Sequence, residues 1–456
     1  SQRIRLATQI GSRLVHVLYI LDEPSIGLHQ RDNERLIRSL KELRDAGNSV
    51  IVVEHDEDMM RAADYIVDVG PRAGRKGGRI VAAGSFDDIL HADSITADYL
   101  TGCRRIEIPE KLRPGNGKSL IIRGARGNNL KNVDVEFPLG KLICVTGVSG
   151  SGKSTLVNET LRPILSKLLY RSYDQPLEYD SVEGTEHIDK LVVVDQSPIG
   201  RSPRSNPATY SNVFSDIRKL FESTPDAQIR GFKAGRFSFN VKGGRCEECQ
   251  GEGVIKVSMQ FMADVELVCE ACGGKRFKDE ILEVRYREKS IYDILEMTVD
   301  DAIAFFGDDK KNATCKRIIE RLRPLQEVGL GYIRLGQSSS TLSGGESQRV
   351  KLASFLSKES TEGNVMFIFD EPTTGLHFHD INKLLDAFNA LIARGHTIVI
   401  VEHNMDVIKC ADWVVDLGPE AGDRGGSIVF EGTPDGLAGC KESYTGRYLA
   451  LREKNE

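Results

Sequence analysis

The chain has 456 residues, 28% of them charged and 40% hydrophobic, close to the average of soluble globular proteins. This composition excludes a disordered chain, a collagen and a small disulfide scaffold, and no segment approaches the ~18 consecutive apolar residues of a membrane span. The formal net charge of −6 means that binding to an anionic polymer requires a local basic patch. No export signal opens the sequence. We therefore expect a cytoplasmic protein whose nine cysteines are not disulfide-bonded.

Three sequence blocks occur twice, which indicates a duplicated domain. The later copy lies 346 residues after the earlier one in the first block and 348 residues after it in the other two. The pairs are 1–8 with 347–354, 19–32 with 367–380, and 50–74 with 398–422. The second copy alone is preceded by a glycine-rich loop and an LSGGE segment. We therefore expect residues 1–105 to be the back half of a domain whose front half is missing from the chain.

Each copy is expected to form a strand, a helix and a second strand, which predicts an α/β fold with a parallel sheet. Short β-branched apolar runs predict buried strands, and apolar residues at helical spacing predict the helix between them. The predicted elements are strands 17–21 and 50–53 around helix 32–46, and strands 366–369 and 398–401 around helix 381–394. A linker rich in proline and glycine, 109–117, follows the first copy.

A predicted strand at 142–146 leads into GVSGSGKST and then into a helical segment. This order is typical of phosphate binding, because glycines let backbone N–H groups surround the phosphates and the helix N-terminus favours negative charge. We expect Lys153 to reach the β- and γ-phosphates of ATP and Ser154 to coordinate Mg²⁺. The candidate nucleotide-binding residues of this loop are Gly147, Gly150, Gly152, Lys153, Ser154 and Thr155. A glycine turn without function is the alternative, and the strand–loop–helix context argues against it.

Polar residues follow three other predicted strands. Asp370 and Glu371 end one strand, where the aspartate would hold Mg²⁺ through water and the glutamate would orient the attacking water. His403 ends the next strand and is expected to contact the γ-phosphate, and Gln196 follows the strand 191–195. An isolated histidine or glutamine is more often a surface residue. Their positions at strand ends favour catalytic roles for Glu371, His403 and Gln196.

The segment LSGGE at 342–346 is a second anion-binding signal, because Ser343, Gly344 and Gly345 stand where a helix begins. A phosphate loop, a glutamine loop, LSGGE, a Walker B strand and a switch histidine, in this order, resemble the ABC-type ATPases. The resemblance implies that LSGGE of one domain covers the nucleotide bound to another domain. The expected fold class is therefore an ABC-type P-loop ATPase cassette.

Two cysteine pairs lie between Gln196 and Ser343, in an insertion of about 145 residues. The pairs are Cys246 with Cys249 and Cys269 with Cys272, separated by 19 residues. Two C-x-x-C turns at this spacing predict a tetrahedral zinc site, because each turn supplies two thiolates. A redox dithiol is the alternative. The five isolated cysteines are expected to be small buried side chains.

A basic stretch, 230–245, precedes the cysteine pairs and contains no acidic residue. Its cations, interleaved with phenylalanines that either stack or pack, predict contacts with nucleic-acid phosphates. The candidate DNA-binding residues are Arg230, Lys233, Arg236, Lys242 and Arg245. A solvated basic loop over core phenylalanines is the alternative.

Together these motifs resemble the UvrA family, the damage-recognition ATPases of bacterial nucleotide excision repair. The resemblance rests on GVSGSGKSTL, CEECQGEG with CEACGGKRF, STLSGGESQRVKLA, DEPTTGLHFHD and VEHNMD, and on DEPSIGLHQRD with VVEHDEDM in the first copy. It implies two cassettes in one polypeptide, use of ATP and Mg²⁺, binding of distorted double-stranded DNA, loading of UvrB and a homodimer, with no membrane partner. It also implies that Asp22, Glu23 and His55 are the first cassette's Walker B and switch residues.

The resemblance also suggests four domain segments. They are the first-cassette remainder 1–105, the phosphate-loop part 106–200 of the second ATP-binding core, the signature domain 201–360 with the zinc module and DNA surface, and the Walker B part 361–456. The first phosphate loop and the UvrB-binding region are missing from the sequence. We therefore expect the chain alone to bind and hydrolyse ATP poorly unless two copies pair.

Two other functions fit part of the sequence. A UvrA-like paralogue with a role outside repair, such as drug self-resistance, would keep the same ATPase motifs. A transporter cassette would lack the cysteine insertion, so the two C-x-x-C pairs argue against it.

Overall fold

The computed structural model describes residues 15–71, 74, 77–200, 202–259, 265–309, 311–357 and 363–455. For residues 453–455 it describes the backbone alone. The chain forms two compact units, one of Ser1–Asp195 with Thr361–Glu456 and the other of Gln196–Ser360. The first-copy block at 1–8 lies outside the described residues. No helix in the described part of the chain combines the length and apolar character needed to cross a bilayer.

Strands and helices alternate in both copies of the repeat. The strands are β1 Leu18–Asp22, β2 Ser49–Val53, β3 Ile66–Gly70, β4 Arg79–Gly84, β5 Ser119–Ala125, β6 Val133–Pro138, β7 Leu142–Gly147, β8 Ser181–Glu183, β9 Lys190–Val194, β10 Val254–Val257, β11 Val265–Val268, β12 Val365–Asp370, β13 Thr397–Val401, β14 Trp413–Gly418 and β15 Ser427–Gly432.

The α-helices of the first unit are α1 Gln30–Asp45, α2 Glu57–Ala62, α3 Phe86–Leu90, α4 Ile95–Leu100, α5 Lys153–Leu156 and α6 Arg162–Tyr170. Those of the second unit are α7 Pro207–Tyr210, α8 Val213–Glu222, α9 Pro225–Ile229, α10 Asp279–Leu282, α11 Ile291–Leu295, α12 Val299–Gly307, α13 Ala313–Glu327 and α14 Gly344–Leu356. The first unit continues with α15 Phe378–Ile392, α16 Met405–Lys409, α17 Pro434–Ala438 and α18 Tyr444–Asn455.

The core of the first unit is a six-stranded sheet in the order β15-β14-β7-β13-β12-β9. All its strand pairs are parallel except β14 with β15. Every residue of β7 and β13 is buried, as expected for parallel strands covered on both faces. The carboxyl ends of β7, β12 and β13 therefore meet at one edge of the sheet.

A second, antiparallel sheet in the order β6-β5-β8 belongs to the same hydrophobic core. The linker before β5 is fastened to this core through Arg113, whose backbone N–H and Nη1 donate to the Asp412 carboxylate over 2.9 and 2.7 Å. Asp412 is only 1% exposed and also accepts from the Leu142 N–H. The next residue, Trp413, is the single tryptophan of the chain, and the Lys141 ammonium lies 5.6 Å from its ring.

The first copy forms the predicted strand–helix–strand unit but is less buried than the second copy. Its described strands form two separate two-stranded sheets, β1-β2 and β3-β4. Ile20 of β1 is 67% exposed, whereas the equivalent Ile368 of β12 is fully buried. The prediction that these first-copy strands are buried on both faces is therefore wrong. In the second copy β7 separates β13 from β14, and among the described residues the first copy has no such strand.

The second unit consists of helices α7–α14 and the antiparallel hairpin β10-β11. Phe221, Phe237, Phe239 and Phe277 are fully buried in it. Two of them, Phe237 and Phe239, come from the basic stretch. In this stretch they therefore pack in the core, one of the two roles that the sequence left open.

Candidate nucleotide site and cysteine cluster

The phosphate loop follows β7 directly and is built on left-handed glycines. Gly147, Gly150 and Gly152 have φ values of 129°, 77° and 112°. A Cβ atom on Gly147 would lie 2.0 Å from the Leu417 carbonyl oxygen, so no larger residue fits there. The sharp turn that the motif predicts at the edge of the sheet is thus physically restricted to glycine.

Lys153 is turned back into this loop. Its Nζ atom donates to the carbonyl oxygens of Gly147 and Val148, both at 2.9 Å. Burial lowers its pKa to about 8, although nearby carboxylates, Glu371 first among them, act in the opposite direction. The ammonium group is therefore poorly solvated, and an anionic ligand in the loop would stabilise its charged form.

In the first turn of the helix after the loop, Ser154 is exposed, whereas Lys153 and Thr155 are buried. It runs from α5 through a π-helical turn at Val157–Leu161 into α6. Asn158 lies in the π-helical turn, and its Nδ2 atom donates to Asp370 Oδ2 over 3.1 Å. The helix thus connects the phosphate loop with the Walker B aspartate.

Glu371 follows β12 in a left-handed conformation, with φ of 45°. Its first-copy equivalent, Glu23, has nearly the same φ, 44°. Non-glycine residues adopt this region rarely, and when they do they are concentrated at functional sites. Each glutamate also faces its own copy's switch histidine: Glu371 Oε1 lies 3.9 Å from His403 Nε2, and Glu23 Oε1 lies 3.7 Å from His55 Nε2. The two copies therefore share one strand-end geometry, with Asp22 ending β1 as Asp370 ends β12.

The two copies meet at a cavity of about 130 Å³ lined by both strand-end loops. The Glu371 carboxylate lies 2.8 Å from the position that a Cβ atom would take on Gly27. In the mirror arrangement, the Glu23 carboxylate lies 3.0 Å from the same position on Gly375. Ser149 of the phosphate loop donates to the Gly27 carbonyl oxygen over 3.2 Å. The residues predicted to bind nucleotide in the second copy are thus in direct contact with the first copy.

The LSGGE segment and Gln196 lie together in the second unit. Ser343 caps α14 by accepting from the Glu346 N–H, and the Glu346 carboxylate accepts from the Ser343 N–H, which forms a capping box. A Cβ atom on Gly344 would lie 3.1 Å from the Gln196 Cβ, and Gly345 is buried. The signature helix therefore begins against the predicted glutamine loop.

The four paired cysteines form one buried cluster, with all Sγ atoms within 4.8 Å of one another. The Cys246–Cys269 and Cys249–Cys272 sulfur distances are 4.0 and 3.7 Å. Four thiolates at about 2.3 Å from a tetrahedral zinc ion lie about 3.8 Å apart, so the donor set and its spacing are compatible with zinc. The hairpin β10-β11 connects the two pairs.

Among the described residues of the second unit, three acidic side chains pair with the basic stretch. Arg230 pairs with Glu283 at 2.7 Å, Lys233 with Glu222 at 3.6 Å and Arg236 with Glu280 at 3.7 Å. Arg245 donates to the Asn240 carbonyl oxygen over 3.4 Å. The hydrogen bond from Lys278 is the main cause that lowers the pKa of Glu247, and Lys242 and Arg245 add smaller effects. The stretch is therefore less electropositive than its own sequence indicates.

Three comparisons with known proteins were made. No protein-family model matches the chain. UvrABC system protein A of Clostridium perfringens is 59% identical over 450 residues, and that of Staphylococcus aureus strain COL is 58% identical. Each alignment covers 98% of this chain and 47% of the relative. The crystal structure of UvrA2 from Deinococcus radiodurans matches with a TM-score of 0.91 at 48% identity, over 99% of this chain and 54% of that one.

Over nearly its whole length, the chain is similar to UvrA proteins. It spans about half the length of the curated UvrA relatives that it matches. The α/β fold of ABC type with an inserted four-cysteine module, predicted from the motifs, is confirmed by the match to UvrA2 and by the cysteine cluster. The roles and boundaries assigned to individual residues and domain segments stay predictions.

Sequence reasoning missed Glu402 as a member of the candidate site. This fully buried carboxylate accepts from the backbone N–H groups of Thr373, His403 and Asn404, and burial raises its pKa. It holds the switch histidine against the loop that carries Glu371. In the first copy, Glu54 likewise accepts from the N–H groups of Ser25 and His55. The signal was present, because both copies read valine–glutamate–histidine at this point.

Replacing Gly27 tests the contact between the copies. In Gly27→Ala the new Cβ meets the Glu371 carboxylate at 2.8 Å, whereas in Gly47→Ala, at a similarly left-handed position, nothing lies within 4 Å. Both variants incur about 1–2 kcal/mol for the left-handed alanine. Only Gly27→Ala must also move the flexible Glu371 carboxylate, so we expect its free energy of unfolding to fall at least as far as that of Gly47→Ala. Urea denaturation followed by circular dichroism measures both losses, and a smaller loss in Gly27→Ala would contradict the contact.

Proposed function

We propose that this chain is an ATPase that forms the phosphate-loop, Walker B and zinc-module part of a UvrA-type damage-recognition protein in nucleotide excision repair. The observation that supports this most is the convergence of Lys153, Asp370, Glu371 and His403 at the carboxyl ends of adjacent parallel strands. This arrangement belongs to a sequence that is 59% identical to a UvrABC system protein A.

In the proposed reaction, the loop Gly147–Thr155 binds ATP through its backbone N–H groups, and Lys153 exchanges the Gly147 and Val148 carbonyl oxygens for the β- and γ-phosphates. The Ser154 hydroxyl and the Asp370 carboxylate are hard oxygen donors of the kind that Mg²⁺ prefers. When bound, Mg²⁺ would neutralise part of the phosphate charge. Thr155, the residue after Ser154, is buried.

Glu371 is the proposed group that orients and deprotonates the attacking water. Its left-handed backbone turns the carboxylate toward His403, which we place at the γ-phosphate. The proposed role of Gln196 is to contact the metal ion or the attacking water. Ser343, Gly344 and Gly345 would cover a nucleotide bound to another cassette, and Asp22, Glu23 and His55 are the corresponding first-cassette residues.

The proposed metal of the cysteine cluster is a structural zinc ion. Cys246, Cys249, Cys269 and Cys272 offer a closed set of four thiolates, which leaves no coordination position for catalysis. Its role would be to stabilise the hairpin β10-β11 and the adjoining basic stretch.

The proposed partners are distorted double-stranded DNA and a second copy of the chain, in the cytoplasm. UvrB is a further proposed partner, although its expected binding region is absent from this sequence. Ion pairs at the surface contribute only about 0–1 kcal/mol each, so phosphates can displace the carboxylates that now pair with Arg230, Lys233 and Arg236. Lys242 and Arg245 would extend this DNA-binding surface. A paralogue used in drug self-resistance is the less favoured alternative, because the curated relatives described above carry the name UvrABC system protein A.

Substitution of Glu371 and of Lys153 separates ATP binding from hydrolysis. Glu371→Gln removes the proposed base and is expected to lower kcat by at least about 10²-fold while ATP still binds. Lys153→Ala removes the phosphate ligand and should weaken ATP binding itself. Equilibrium binding of a fluorescent ATP analogue and steady-state phosphate release measure the two effects, with the exposed Glu178→Gln as control. ATP turnover of Glu371→Gln at the unaltered rate would refute the assignment.

Loss of one cluster cysteine tests the zinc proposal. We expect the chain to carry one zinc ion, and Cys269→Ser to lose it and to make residues 196–360 more sensitive to proteolysis, because metal binding is part of the folding free energy of such modules. The isolated Cys440→Ser is the matched control and should keep the metal. Zinc content is measured by a colorimetric chelator after denaturation. A full zinc content in Cys269→Ser would rule out this ligand set.

Neutralising the basic stretch tests the DNA surface. The triple variant Arg230→Gln, Lys233→Gln, Arg236→Gln should weaken binding to a duplex with a bulky adduct. It should also reduce the slope of log affinity against log salt by about 0.9 for each phosphate that the protein no longer neutralises. ATP binding should stay unchanged. Arg123→Gln, an exposed and ion-paired arginine of the first unit, is the control. An unchanged slope in the triple variant would move the DNA site elsewhere.

A further inference from the structure

The tripeptide Gly–Leu–His occurs at the same point in both copies and ends in His29 and His377. Neither histidine has a role in the function proposed above. Each one is the N-cap of a helix, α1 or α15, and its Nδ1 atom accepts from the backbone N–H two residues later, that of Arg31 or His379. Because Nδ1 is an acceptor, the ring proton of the neutral imidazole is on Nε2.

His29 extends from the first copy into the second. Its Nε2 atom lies 3.1 Å from Thr445 Oγ1, and its ring is edge-on to Tyr448 at 5.8 Å and to His403 at 6.2 Å. Its side chain is fully buried. Burial, with smaller contributions from Lys153 and Arg31, lowers its pKa to about 3, so the ring is neutral near pH 7.

His377 makes the same contacts in the opposite direction, from the second copy into the first. Its Nε2 atom lies 3.3 Å from Thr96 Oγ1, and its ring is edge-on to Tyr99 at 6.0 Å and to His55 at 6.5 Å. Thr96 and Tyr99 occupy the same places in the first copy as Thr445 and Tyr448 do in the second.

A further pair of equivalent hydrogen bonds connects the two copies. The Tyr448 hydroxyl donates to Glu34 Oε1 over 2.8 Å, and Asn382, the second-copy equivalent of Glu34, donates to the Tyr99 hydroxyl over 3.1 Å. The tyrosine of each copy thus makes a hydrogen bond to the equivalent position of the other copy, although that position holds glutamate in one copy and asparagine in the other. Such agreement argues that the reciprocal packing is a property of the duplicated fold and not of one local sequence.

A hydrogen-bond chain continues from His29 toward the phosphate loop. The Thr445 hydroxyl donates to Asp416 Oδ1 over 3.0 Å, and Ser443 donates to Asp416 Oδ2 over 2.6 Å. Asp416 is buried on β14 and interacts electrostatically with Lys153. His29 therefore contacts the second copy's switch histidine directly and its phosphate-binding lysine through two polar groups.

We propose that His29 and His377 are reciprocal positioning residues, each of which holds the switch histidine of the other copy, His403 or His55, in its working orientation. The inference rests on the proposed ATPase function, in which His403 contacts the γ-phosphate. Hydrolysis at the loop Gly147–Thr155 then depends on a residue of the first copy, and the two copies respond to nucleotide as a coupled pair.

The test is His29→Asn, because asparagine keeps the N-cap acceptor and is among the best caps, but is too short to reach Thr445 or the His403 ring. An edge-on ring contact corresponds to a change in rate of about threefold to tenfold. We expect kcat for ATP to fall by this factor while KM stays nearly unchanged. The thermal unfolding midpoint should fall as well, because the variant shortens a fully buried side chain and removes its bond to Thr445. Tyr448→Phe, which removes the bond to Glu34 but keeps the ring, is the matched control and should keep kcat.

Combination with His403→Ala identifies the route of the effect. If His29 acts through His403, adding His29→Asn to His403→Ala lowers kcat no further. Multiplicative losses, or an unchanged kcat in His29→Asn, would overturn the proposal. The side-chain ¹H–¹⁵N resonances of His403 provide a measurement that needs no turnover: His29→Asn must shift them and Tyr448→Phe must not. If the unaltered chain shows no ATPase activity that depends on Lys153, the function proposal fails, and these resonances alone still decide the positioning role.

Discussion

The position of β7 between β13 and β14 is the constraint on which the nucleotide site depends. Its residues are all buried, and its pairing is parallel on both sides. Parallel pairing brings the carboxyl ends of these strands to one edge, so Lys153 and His403 become neighbours although 250 residues separate them. Gly147, the last residue of β7, is then needed because the backbone must turn beside the Leu417 carbonyl oxygen without a side chain in between.

The two copies show how much of a repeat's structure is local. Glu23 and Glu371 adopt the same left-handed conformation, and both face a switch histidine, although the strands around them differ greatly in burial. The bend after the Walker B strand is therefore encoded by the short segment itself. The burial of the strand is not, because it depends on which other elements cover the sheet.

Sequence alone was sufficient for features that short segments encode. The phosphate loop, the cysteine spacing and the strand–helix–strand order were predicted. The observed helix α1, Gln30–Asp45, differs from the predicted 32–46 by two residues at its start and one at its end. It was not sufficient for contacts between distant segments. The exposure of Ile20 and the pairing of Arg230 with Glu283 depend on elements whose packing no periodicity specifies. For the same reason, the contacts of His29 with residues some 400 positions away could not be predicted.

The place of the single tryptophan has a practical consequence. Trp413 begins β14, beside the buried Asp412 that fastens the linker, and β14 ends against the phosphate loop. Indole emission from the native chain therefore originates at one point, where segments from before and after the inserted unit are joined. Its emission wavelength reports, without any label, whether water reaches this junction.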